Sequence, residues 1–200
     1  MTRPRGTPRV LLRIRSALFA AAVLVACAGT PRGGHGQAEV AAQAVQALRA
    51  RDWPALARLA HPKEGIRFSP YAYVDTASGI VLSVAELAVL GRDATVRRWG
   101  NYDGSGEPIE LSFASYLKRF VYDRDFAGVT PGRPNERVGR GNSIDNIRAA
   151  YAPRPVSFME FHLPGSERYN GMDWRSLRIV LEHVGNRWYV IAIVHDQWTI

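Results

Sequence analysis

Cysteine is nearly missing from this chain of 200 residues: Cys27 stands alone. No intramolecular disulfide can form, so burial of apolar surface has to hold the fold together. Lysine is almost as scarce, with only Lys63 and Lys118, which leaves few candidates for Schiff-base chemistry and none in a Walker-type phosphate loop. Gly139-Arg140-Gly141-Asn142 is no substitute, because it lies in an irregular stretch and not between a strand and a helix. No G-x-S-x-G elbow occurs, and Ser69 and Ser143 have no activating neighbour in sequence. The five histidines, His35, His61, His162, His183 and His195, show no metal-ligand spacing, so neither a metal nor another cofactor is expected. The run from Asn101 to Glu107 starts like a calcium loop, but it opens on Asn and has Ser112 where a bidentate Glu is needed, so it reads as a Gly-rich turn.

Acidic residues are absent from the first 26 positions, which hold Arg3, Arg5, Arg9, Arg13 and Arg15. The formal charge of +8 comes largely from there. Without those five arginines 21 basic residues face 18 acidic ones, so the rest of the chain is near balance and no nucleic-acid partner is expected. The apolar run Ala17 to Ala26 is too short to span a bilayer in the usual way, and it ends in Leu24-Val25-Ala26-Cys27. This order of parts resembles the signal peptide of bacterial lipoproteins. The resemblance implies a signal peptide over 1–26, Cys27 as the first mature residue carrying the lipid, palmitate included, and a membrane partner reached through it. Several acyl chains make a durable anchor where one would not. Arg13 and Arg15 are not adjacent, which argues against twin-arginine export. Ala28 resembles the pattern sent to the outer membrane in Gram-negative cells, on its periplasmic face. An ordinary secretory signal, or a short anchor, with an incidental cysteine is the alternative. Residues 27–37, Gly- and Pro-rich, read as a flexible tether.

One domain is expected over 38–200. Val40, Ala44, Val45 and Leu48 recur at helical spacing, and Asp52 with Pro54 starts a second helix that His61-Pro62 stops. A strand is expected from Gly65 and should break at Ser69-Pro70. Ser83 and Glu86 form a capping box, and Ser112 starts a helix that buries Phe113, Tyr116, Leu117 and Phe120. The pattern lapses between Gly128 and Pro155, then resumes as a strand over Val156–Leu163. The end of the chain reads as two long antiparallel strands about a Gly185-Asn186 turn. Leu177, Ile179 and Leu181 should share one face, and Trp188, Val190, Ala192 and Val194 another. Helices early and paired strands late predict an α+β fold, with N-terminal helices packed on a curved antiparallel sheet.

That layout, with the helix pair running into HPKEGIRFSPY and a final hairpin containing NRWYVIAIV, resembles an NTF2-like (cystatin-like) domain. The resemblance implies a cone in which helices close a bent sheet over a pocket. The blocks HPKEGIRFSPYAYVD, WGNYDGSGEPI and HDQWTI are also similar to blocks of bacterial lipoproteins to which no mechanism attaches. The long irregular stretch from 128 to 155 departs from compact members of the NTF2-like fold.

Two sets of side chains are candidates for chemistry. His162 and His195, with Asp123, Asp196 and Glu160, could converge at one pocket, where a His beside a carboxylate acts as a general base. Their other reading is hydrogen bonding at the sheet's edge. Tyr71, Tyr73, Trp99, Tyr122 and Trp198 beside Asp75 suit a groove for a small molecule, glycan or peptide. Equally, such rings anchor loops to the sheet. The sequence thus points to a lipid-anchored envelope protein that binds a ligand or partner without catalysis. A small hydrolase or isomerase using a His/carboxylate pair is the alternative.

Overall fold

The computed structural model describes residues 1–2 and 36–199. The leader and nearly all of the tether, including Cys27 and His35, lie outside the described residues. Helix α1 (Gln37–Ala50) buries Val40, Ala41, Ala44, Val45, Ala47 and Leu48 on one stripe. Arg51 turns the chain in a left-handed conformation. Asp52 then caps α2 (Trp53–Leu59) by accepting the Ala55 N–H at 2.9 Å, with Pro54 in the first turn. Full burial of side chains such as Leu48 and Leu56 contributes about 1.5–3 kcal/mol each.

Strand β1 (Ile66–Ser69) ends where Pro70 removes a donor. It pairs with the short β2 (Val81–Leu82), after which Ser83 and Glu86 close both halves of the capping box on α3 (Val84–Val89). Strands β3 (Val96–Asn101) and β4 (Pro108–Ser112) form a separate hairpin, and the Gly-rich stretch between them is its turn. Next comes α4 (Phe113–Tyr116), which widens into a π-turn over Leu117–Val121; Ser112 precedes it without a side-chain cap. The stretch from 128 to 155 is irregular apart from α5 (Ile147–Tyr151). Strands β5 (Val156–Leu163), β6 (Arg175–Val184) and β7 (Arg187–Gln197) complete the chain.

The main sheet has the order β2-β1-β7-β6-β5. Its β5-β6-β7 part is antiparallel as expected, but β1 runs parallel to β7, with Phe68 beside Ile193, so the sheet is mixed. Helix α1 lies across β5, β6 and β7. On that inner face Met159, Phe161, Leu177, Ile179, Leu181, Val190 and Ile193 join the helices in the larger core. The outer face is covered as well. Phe158, Val180, Ala192 and Val194 pack there against Val74, Ile147 and Tyr151. Gly132 and Asn135 donate their N–H groups to the Glu160 and Phe158 carbonyls at 2.8 and 2.9 Å, which covers the β5 edge.

A bulge divides the apolar row expected on β7. Leu181 pairs with Val190 but Val180 pairs with Ala192, so Ile191 is the extra residue. Trp188 and Val190 therefore meet the inner core, while Ala192 and Val194 meet the outer one. Both faces of β7 are apolar, so hydrophobic pattern alone does not distinguish the bulged register from the regular one.

Candidate functional site

A cleft of about 550 Å³ opens between the segment after β1 and strand β3. The break after Ser69 throws Pro70, Tyr71 and Tyr73 off the sheet, and Ser69 Oγ holds the segment by donating to the Tyr73 carbonyl at 2.7 Å. Asp75 then accepts the Ala77 and Ser78 N–H groups and the Ser78 hydroxyl, closing an Asx-type turn. The Ser78 hydroxyl bond is the main reason why the Asp75 carboxyl sits below its usual range. From the other side β3 supplies Arg98, Trp99, Gly100 and Asn101. Gly100 has φ of 133°, open to glycine alone, at the irregularity in the β3–β4 ladder between Arg98 and Asn101.

Behind the cleft lies a stack of rings. Trp99 lies on Tyr116 at 4.0 Å between ring centres and donates its indole N–H to the Leu111 carbonyl at 2.8 Å. Phe68 meets Trp99, Phe113 and Tyr116 edge-on. These rings fill the inner side of the sheet, so the pocket expected within the sheet's bend opens at its margin instead. Tyr71 and Tyr73 form its accessible aromatic wall. Tyr73 is 54% exposed, whereas Trp99 presents 2% of its surface. Tyr71 accepts the Asp103 N–H through its hydroxyl at 3.2 Å, and burial raises its phenol above the usual value.

Of the expected lining residues, Tyr71, Tyr73, Asp75 and Trp99 meet here and the rest do not. Tyr122 donates its hydroxyl to Asp125 at 2.7 Å, and burial, followed by that bond, pushes its phenol up to about 12. Trp198, beyond the end of β7, is 39% exposed. Glu160 and His162 point to the outer face. Missed as lining residues in the sequence were Ser69, at the end of β1, and Arg98 and Asn101, whose signal would have been a β3 that the Gly-rich turn concealed.

The two candidate histidines lie on opposite faces of the sheet. His195 faces inward opposite Leu177, edge-on to Phe120, and is fully buried. One ring nitrogen lies 3.3 Å from the Pro70 carbonyl and the other 3.2 Å from Asp123 Oδ1. Arg175 Nε donates to Asp123 Oδ2 at 2.8 Å. Burial opposes ionisation of Asp123, but His195 and Arg175 outweigh it and hold the carboxyl below its usual range. With both nitrogens so engaged, His195 cannot reach a substrate unless one contact breaks; Asp123, in contrast, borders a pocket.

His162 faces outward in a cross-strand row with Ser176 and Asp196. Its Nδ1 lies 2.9 Å from the Ser176 hydroxyl, and burial lowers its pKa. Ser176 has no exposed surface, so this row lacks the accessible nucleophile that a triad needs. The next row is Glu160, Arg178 and Val194, with Glu160, Arg178 and Asp196 all at 0% exposure. Arg178 donates to Asp196 Oδ2 at 2.8 Å and to the Gly139 carbonyl at 3.0 Å, and its Nε lies 3.3 Å from Glu160 Oε2. Glu160 in turn accepts the Val138 and Gly139 N–H groups, each at 2.8 Å. This cluster ties the irregular stretch to the sheet. Gly139 is needed there, since a Cβ would lie 2.3 Å from Ser176 Oγ and 2.7 Å from the Trp174 ring.

His61, Glu64 and Glu182 place ligand-type atoms within 4.8 Å of one another. Two features disqualify the trio as a metal centre. His61 Nδ1 accepts the Lys63 and Glu64 N–H groups, which leaves the ring proton on Nε2, the nitrogen nearer Glu182. Arg154 already pairs with both Glu64 and Glu182.

The class of protein defined here is an α+β domain with a mixed sheet, an aromatic cleft at its margin and a buried charged cluster on its outer face. No helix among the described residues is long and apolar enough to cross a membrane. No family model, curated protein or solved structure matches the chain.

Proposed function

We propose that this chain is a lipid-anchored protein of the bacterial envelope whose domain, NTF2-like over residues 38–200, binds a saccharide-type ligand in the aromatic cleft without catalysis. The anchoring half of the reading is supported by the arginine-rich leader ending in Leu24-Val25-Ala26-Cys27. The NTF2-like half is supported by the opening helix pair and by a long terminal hairpin that shares its sheet with the first strand.

The observation that carries the binding reading is the cleft wall itself. Tyr71 and Tyr73 line it with aromatic surface, and Asp75, Arg98 and Asn101 add a few polar groups. A cleft of about 550 Å³ suits a ligand of one or two sugar rings. The hydrolase or isomerase alternative rests on the contact between His195 and Asp123, and the burial of His195 counts against it.

A thermal-shift panel of cell-wall saccharides, peptides and lipids on the full chain tests the binding reading. At least one saccharide should raise the melting temperature, and Tyr73→Ala, at an exposed position, should abolish the rise while leaving the unliganded protein unchanged. No response to any saccharide sinks the reading. Fractionation of a Cys27→Ala variant tests the anchor, which should be lost; retention in the membrane after leader removal would refute it.

A further inference from the structure

We propose that the pocket between the π-turn and the outer ends of β6 and β7 is a second binding site, built for a small oxyanion of the phosphate or phosphomonoester class. The pocket is about 310 Å³ and is lined by Lys118, Arg119, Phe120, Asp123, Arg175 and Gln197. None of these borders the aromatic cleft, so the site does not depend on the saccharide reading.

The local backbone explains the convergence. The turn over Leu117–Val121 is a π-helix, which buries Leu117, Phe120 and Val121 and leaves the consecutive cations Lys118 and Arg119 exposed. π-turns give up regular helical bonding and recur at functional sites. Arg119 is held in place by ring faces, 5.0 Å above Tyr102 and 5.5 Å from Phe120, and has no hydrogen bond or ion pair among the described residues. Lys118 has no partner among the described residues either. Arg175 arrives from the start of β6 and spends Nε on Asp123 and Nη1 on the Trp174 carbonyl, which leaves Nη2 without a partner among the described residues.

Asp123 is the only carboxylate in the lining, and it does not oppose an anion. Its Oδ1 faces His195 and its Oδ2 holds Arg175, so it serves to position a cation at the pocket wall. Three cations with unused donors therefore surround one open space whose single acid is already paired. Guanidinium and ammonium groups in that ratio match a doubly charged tetrahedral oxyanion better than a singly charged carboxylate. The exposure of Lys118 and Arg119 makes the interaction salt-sensitive, because a Debye length at physiological ionic strength is about 8 Å.

Calorimetric titration of the full chain with inorganic phosphate, at ionic strength held constant with chloride, reads this site. Saturable binding is expected, weakened at least tenfold in the Lys118→Gln/Arg119→Gln double variant and unchanged in Tyr73→Ala. Urea unfolding of the double variant, whose substituted groups are exposed, should match that of the wild type. A second titration with glycerol 3-phosphate separates two sources of the same chemistry. Binding of both assigns the site to a phosphate ester such as a lipid headgroup, and binding of phosphate alone assigns it to the free ion. Non-saturable titration, undiminished binding in the double variant, or loss of binding in Tyr73→Ala overturns the proposal.

Discussion

Replacing Arg178 by methionine puts the outer-face cluster under direct strain. The side chain is fully buried between Glu160 and Asp196, both also fully buried, so the substitution leaves two carboxylates without their shared cation. Breaking a buried ion pair from one side costs about 3–5 kcal/mol. That is a large part of the roughly 5–15 kcal/mol that stabilises an ordinary domain. With a urea m-value of about 2 kcal/mol/M, a loss near 4 kcal/mol moves the unfolding midpoint by about 2 M. The effect also has a pH signature. In the wild type burial opposes ionisation of Glu160, but Arg178 and the hydrogen bonds from Ser176, Val138 and Gly139 hold its pKa below 4.5. A depressed carboxyl contributes stability that is present above its unfolded value and lost as the pH falls through the folded one. Asp196 is raised above 3.8, since burial outweighs Arg178 there. Without Arg178 both carboxyls move upward. The variant is therefore least stable relative to wild type near neutral pH, and the gap narrows as the pH falls through the carboxylate range. Urea melts at a series of pH values measure this. A midpoint shift under about 0.3 M at pH 7, or a gap that does not change with pH, would show that the cluster is solvated or unimportant.

Three further outcomes follow from particular contacts. Gly139→Ala forces a methyl group against Ser176 and Trp174 and should cost about 1–3 kcal/mol in urea unfolding; an unchanged midpoint would mean that the irregular stretch is not seated as described. Ser83→Ala removes both hydroxyl contacts with Glu86 at the start of α3 and should cost about 1 kcal/mol, read by thermal unfolding. Asp123→Asn should destabilise at pH 7, because the wild-type carboxyl is depressed, and the deficit should close as the pH drops below 3.8; a deficit that persists in acid would assign the loss to packing instead of charge.

Local chemistry in the sequence carried a good deal of this fold. The α1 stripe, the Asp52 and Ser83 caps, the stop at Ser69-Pro70 and the alternation on β6 are all contests settled between near neighbours, so residue types decide them. Of the ring set read from the sequence, Tyr71, Tyr73 and Trp99 meet beside Asp75 while Tyr122 and Trp198 do not, and Trp99 sits in the core on β3, because residue type alone does not tell a ring that lines a cleft from one that packs behind it. Tertiary structure alone decided the rest. Parallel pairing of β1 with β7 joins opposite ends of the chain, and the Ile191 bulge is invisible where both faces of a strand are apolar. The same geometry separates His162 from His195, because strand alternation and cross-strand register put residues of like chemistry on opposite faces. The alternation on β6 set Arg178 opposite the apolar row, and only the fold shows that this second face is buried as well and that Glu160 and Asp196 pair with the guanidinium there.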